Sequence, residues 1–176
     1  MKSRNSRWLL AACLLGLSVF PSALPAASAP RTAAAQEPGA KPRHVSQYNL
    51  DKDGLALRGF DPVAYFPEGG GRALKGLAEL EIVHQGVRYR FASEQDRELF
   101  RKKPAKYEPR YGGWCAFAMA SGEKVEIDPK AFVVDGDKLF VFYKSLINDT
   151  RKKWLKDAAK LEPEADAAWA KLLAKK

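Results

Sequence analysis

The sequence predicts an α+β fold: a small single domain with two antiparallel β-hairpins, short helices and a C-terminal amphipathic helical segment. Three observations predict it. Two stretches alternate apolar and polar residues around tight-turn residues, capped helical segments stand between them, and one or two amphipathic helices are expected from Leu146 to Leu173.

Taken in order, Asp61-Pro62 sets a capping side chain before a proline suited to a first helical turn, so a short turn is expected from Asp61 to Phe66. Leu80, Ile82 and His84, then Gln85-Gly86, then Val87, Tyr89 and Phe91 form the first hairpin. Ser93, followed by Gln95 and Asp96, opens a helix with Leu99 and Phe100 on one face, and Pro104 ends it. Gly112-Gly113 launches an apolar segment from Trp114 to Ala120, closed by Gly122 and read as a buried helix. Phe132 to Val134, the turn Asp135-Gly136-Asp137, and Leu139 to Tyr143 make the second hairpin. One or two helices then carry Trp154, Leu155, Leu161, Trp169, Leu172 and Leu173 as an apolar stripe.

The N-terminus predicts targeting rather than structure. Lys2, Arg4 and Arg7 precede an apolar run over residues 8–20 and then a small-residue stretch, the order of a secretory signal peptide. The run is shorter than the roughly 20 residues of a spanning helix. Export to the periplasm or the extracellular space is therefore expected, with cleavage between positions 27 and 36 and no transmembrane segment in the mature chain. Leu10-Ala11-Ala12-Cys13 offers a rival, lipid anchoring at Cys13, but the apolar run continues past that cysteine. The expected domains are 1–35 signal and processing region, 36–47 flexible tether, and 48–173 folded domain.

The chain carries 30 basic and 21 acidic residues. Removing residues 1–35 takes Lys2, Arg4, Arg7 and Arg31 and no acid, leaving 26 basic residues against 21 acidic. This mild excess, dispersed among acids, argues against nucleic acid as a partner. Cys13 and Cys115 are the two cysteines, and only Cys115 survives signal cleavage. The mature chain then has no internal disulfide, and a lone thiol is left buried, reactive or bound.

Four stretches carry a resemblance: Arg58 to Phe66; Tyr89 to Ser93 with Phe100, Pro104 and Tyr107; Tyr111-Gly112-Gly113-Trp114-Cys115-Ala116; and Lys152 to Leu155. In their order and spacing they resemble the YHS-domain family, in an exported bacterial branch, over about residues 48 to 173. Asp61, Pro62, Tyr65, Gly112 and Gly113 are the structural motif residues of that match. The resemblance associates some family members with heavy metals through cysteines at places that here hold Ala64, Ala92 and Asp96, so it does not carry that metal site to this chain. It also implies that similar proteins bear selenocysteine where Cys115 stands, which hints at redox or soft-metal chemistry.

The residues leave the chemistry open. Cys115, expected at the head of a helix after two glycines, suits a stabilised thiolate; a free cysteine among Trp114, Ala116, Phe117 and Ala118 equally suits a core. Met119, four residues on, would share its helical face, and thiolate with thioether suits Cu(I). Met at that spacing is also common core filler. His44 falls in the tether, and His84 reads as a half-buried strand residue. Asp61 is explained by capping, while Lys152, Lys153 and Lys156 read as a solvated face or a contact for anionic lipid. Tyr65, Tyr89, Tyr107, Tyr111 and Trp114 line either a core or a small pocket. Neither a nucleophile elbow, a phosphate-binding glycine loop nor a Cys-x-x-Cys pair is present.

Three functions follow: a binding or accessory protein that handles soft metal or thiols through Cys115, alone or with a protein partner; a thiol redox protein with Cys115 as the reactive group; or a non-catalytic interaction module with Cys115 inert.

Overall fold

A computed structural model describes residues 43–175. Two two-stranded antiparallel sheets and five helices make an α+β domain. The first hairpin joins β1 (Leu77–His84) to β2 (Val87–Phe91), and the second joins β3 (Asp128–Asp135) to β4 (Lys138–Phe142). Gln85 and Gly86 turn the first hairpin with φ of 48° and 86°, the left-handed pair that matches strand twist. In β2 burial alternates, with Val87, Tyr89 and Phe91 inward, whereas Leu139 to Phe142 in β4 are all buried. β4 is therefore covered on both faces, while its partner β3 is mostly half-buried or exposed.

Ser93 Oγ accepts the Asp96 amide at 3.0 Å and so caps α1 (Glu94–Lys102), which packs Phe100 against Tyr89 and Phe91. Pro104 ends α1 and opens the one-turn α2 (Pro104–Tyr107). The segment expected as a helix from Trp114 to Ala120 is helical only in α3 (Ala116–Met119). Trp114 and Cys115 stay extended because the Cys115 amide donates to the Val125 carbonyl at 3.0 Å and Cys115 forms a parallel bridge with Val141 of β4. Tertiary pairing overrides helix propensity there.

The C-terminal stripe resolves into α4 (Thr150–Trp154) and α5 (Ala158–Ala174). Asp149 caps α4 through the Arg151 amide, so Leu146 lies in a turn ahead of the helix. Trp154 is buried against Phe140 and Phe142, while Leu155 is exposed. Among the described residues no helix is long and apolar enough to cross a membrane.

Residues 43–47, the end of the expected tether, pack onto the domain. Val45–Gln47 forms a 3-10 turn, Arg43 pairs with Glu108, and the Gln47 carbonyl accepts Trp114 Nε1–H at 2.6 Å. The rest of the tether and the targeting segment, Cys13 included, lie outside the described residues.

Candidate functional site

Cys115 is fully buried, with 0% of its surface exposed, in a cluster with Tyr111, Met119, Phe140 and Trp154. Its Sγ stands 3.3 Å from Thr150 Oγ1. The Thr150 hydroxyl donates its single proton to the Tyr143 carbonyl at 2.8 Å. That leaves the Thr150 oxygen as acceptor and Cys115 S–H as donor. The contact ties the buried sulfur to the first residue of α4. Cys115 is also the residue before a helix of four residues, whose first amides follow an extended backbone with φ −58° and ψ 116°.

Met119 is buried on the same short helix, its amide bonded to the Cys115 carbonyl at 3.0 Å. Neither sulfur meets solvent. Among the described residues no group of three or more His, Cys, Asp or Glu side chains is placed to hold a metal ion. His84 is half-buried with its ring edge-on to Phe100 at 6.0 Å, and His44 is exposed.

The two glycines before Trp114 have a mechanical role. Tyr111, Gly112 and Gly113 run through three successive left-handed conformations, φ 56°, 60° and 83°. A Cβ on Gly112 would meet Trp169 at 2.8 Å and the Tyr48 ring at 3.1 Å, so both conformation and space exclude a side chain. Asn49 fastens this turn, its amide bonding the Gly112 carbonyl at 2.9 Å and its Nδ2 the Gly113 carbonyl at 3.1 Å.

A second buried polar centre forms around Asp61. Its Oδ1 accepts the amides of Val63 at 2.8 Å and Ala64 at 3.3 Å, which caps the turn beginning at Pro62, and its Oδ2 accepts the Ala92 amide at 2.7 Å. The buried Asp96 carboxyl hydrogen-bonds the same side chain. Burial, with Asp96 adding to it, pushes the Asp61 carboxyl up to about 7 against the opposing pull of the Ala92 and Val63 amides. The capping expected from sequence is present, but Asp61 does more: it ties the start of the domain to the entrance of α1. The three positions that the YHS resemblance marks, Ala64, Ala92 and Asp96, meet at this carboxylate. Tyr65 is buried beside it, its hydroxyl donating to the Pro129 carbonyl at 2.9 Å, and burial raises its phenol.

Strain collects nearby. Leu57 and Arg58 hold φ of 53° and 52°, left-handed values that cost a side-chain-bearing residue about 1–3 kcal/mol each. They border a cleft of about 240 Å³ whose other walls include Asn49, Asp51, Glu126 and Ile127. Arg58 pairs with Glu126 across it at 3.0 Å. That volume is smaller than the roughly 300–1,000 Å³ of organic ligand sites.

Of the two readings left open for the aromatics, core or pocket, the four tyrosines are core: Tyr65, Tyr89, Tyr107 and Tyr111 are all buried and each hydroxyl is bonded within the protein. Thr150 and the role of Asp96 were not visible in sequence, since each meets its partner only through the tertiary fold. Comparison with family models, with curated proteins and with solved structures returns no match.

Proposed function

We propose that the chain is an exported, YHS-domain-like binding module that performs no thiol chemistry, with Cys115 serving the core. The observation that carries this reading is the sulfur's environment: no exposed surface and an S–H committed to Thr150. A redox thiol must reach its oxidant or a partner disulfide, and its thiolate is the reacting species. A carrier of Cu(I) must exchange its ion with a donor. Both functions need Cys115 at a surface or in a channel, and it has no exposed surface, within the core cluster that also holds Tyr111, Phe140 and Trp154. The motif residues support the same view: Gly112 and Gly113 bend the chain, while Asp61, Pro62 and Tyr65 lock the opening turn.

Iodoacetamide alkylation read by peptide mapping tests the proposal, because mapping separates Cys115 from Cys13. Cys115 is expected to stay unmodified in the folded chain and to react fully in denaturant. Titration with Cu(I) against a chelator is expected to give the same curve for wild type and Cys115→Ala. Prompt alkylation of the folded chain, or Cu(I) affinity lost in Cys115→Ala, would return the function to the sulfur.

A further inference from the structure

The most exposed aliphatic side chains of the domain stand together at the tip of one turn. Leu146 and Ile147 are 106% and 98% exposed, as open as residues in an extended chain. The turn presenting them is firmly built. Lys144 and Asp149 form an antiparallel bridge at its base, the Ser145 amide donates to the Asn148 carbonyl at 2.8 Å, and the Asn148 amide donates to Ser145 Oγ at 3.2 Å. With the turn's polar groups satisfied at both corners, its two central side chains are held outward. Glycine, asparagine or aspartate would serve a turn at less cost in exposed apolar surface.

The surroundings are strongly basic. Residues 144–156 contain Lys144, Arg151, Lys152, Lys153 and Lys156 against one acid, Asp149. Asp149 is already engaged, accepting the Arg151 amide and lying 3.7 Å from the Arg151 guanidinium. Lys144, Lys152, Lys153 and Lys156 are exposed, and among the described residues no carboxylate lies within ion-pair distance of them. An aliphatic tip with four exposed lysines within ten residues of it along the chain, one of them, Lys153, lying over the Phe117 ring at 5.7 Å, matches the layering of an anionic bilayer, where apolar groups enter the headgroup boundary and ammonium groups meet lipid phosphates.

We propose that the turn over residues 145–148 docks the domain on an anionic lipid bilayer, Leu146 and Ile147 entering it while Lys144, Lys152, Lys153 and Lys156 face the headgroups. A protein partner fits less well. A two-residue prominence cannot bury the about 800 Å² that a stable interface takes from each side, and unpaired lysines are depleted at interface cores. This inference goes beyond the binding-module reading and does not depend on the state of Cys115.

The test uses the full chain with Cys13→Ala, Cys115→Ala and Ile147→Cys, labelled at position 147 with an environment-sensitive fluorophore, so that the signal comes from the tip alone. Phosphatidylglycerol vesicles are expected to shift its emission to the blue, phosphatidylcholine vesicles to leave it unchanged, and high salt to reverse it, since charges are screened beyond about 8 Å at physiological ionic strength. Leu146→Asp, and separately Lys144→Glu with Lys152→Glu, are each expected to raise the lipid concentration needed for half the shift by about tenfold or more. All these positions are exposed, and thermal melts of the variants should match the parent. The proposal is overturned by no shift with phosphatidylglycerol, by an equal shift with phosphatidylcholine, by an equal shift from a fluorophore at Glu79→Cys, or by both sets of variants binding as the parent does. A shift that grows with protein concentration without vesicles would mean a second copy covers the tip, and would also overturn it.

Discussion

The Thr150 hydroxyl gives its proton to the Tyr143 carbonyl and receives that of Cys115, so one side chain at the start of α4 satisfies both the strand end and the buried thiol. Two substitutions separate these roles. Thr150→Val keeps the shape and removes both side-chain bonds, leaving the thiol without its partner while the Tyr143 carbonyl keeps the Thr150 amide at 3.1 Å; a loss of about 1–2 kcal/mol is expected in denaturant melts. Cys115→Ala removes one bond and leaves a small void, and is expected to cost about 1–2 kcal/mol with the fold intact by circular dichroism.

Burial of Asp61, with Asp96 adding to it, makes stability depend on pH. A carboxyl pushed up to about 7 from 3.8 binds its proton more tightly in the folded chain than in the unfolded one. Its stabilising contribution is therefore complete below about 4 and is lost as pH rises through about 7, at up to roughly 1.4 kcal/mol per pH unit. Melting temperature should fall between pH 5 and pH 8. In Asp96→Asn the neutral amide can donate to Asp61, and the decline is expected to flatten, leaving the variant more stable than wild type at pH 8. An equal slope in both proteins would exclude the pair as the cause.

Gly112→Ala combines a left-handed φ of 60° with a Cβ 2.8 Å from Trp169. We expect a loss of at least about 2–3 kcal/mol, and Gly113→Ala, whose Cβ would meet nothing nearer than 3.5 Å, should cost less, chiefly its backbone strain. Comparing the two by chemical denaturation isolates the steric part.

A chain beginning at residue 48 should be less stable than one beginning at residue 36. It lacks Arg43, which pairs with both oxygens of Glu108, and that carboxylate also accepts the buried Tyr89 hydroxyl at 2.8 Å. It lacks as well the Gln47 carbonyl that receives Trp114 Nε1–H. A difference of about 2–4 kcal/mol is expected from denaturant midpoints.

What could be read from sequence was local. The hairpins declared themselves because Gln85-Gly86 and Gly136 sit between alternating runs, and α1 because Ser93 stands three residues before the amide it caps. Each such signal lies within a few residues of what it specifies. Cys115 could not be placed in that way: the Val125 carbonyl, the Val141 bridge and the Thr150 hydroxyl that settle its surroundings all come from later in the chain. For the same reason the helix expected from Trp114 was too long, and Leu146, taken as the start of the C-terminal helical segment, proved to be a turn residue cut off by the Asp149 cap. Asp61 was read correctly as a cap and incompletely as a side chain, because Ala92 and Asp96 reach it only once β2 and α1 are in place.

Gly112 is pressed from one side by Tyr48, near the beginning of the described chain, and from the other by Trp169, near its end. The seam beside this turn is therefore filled only when α5 is in place, and a chain truncated before residue 158 would leave the Gly112 bend uncovered on one side.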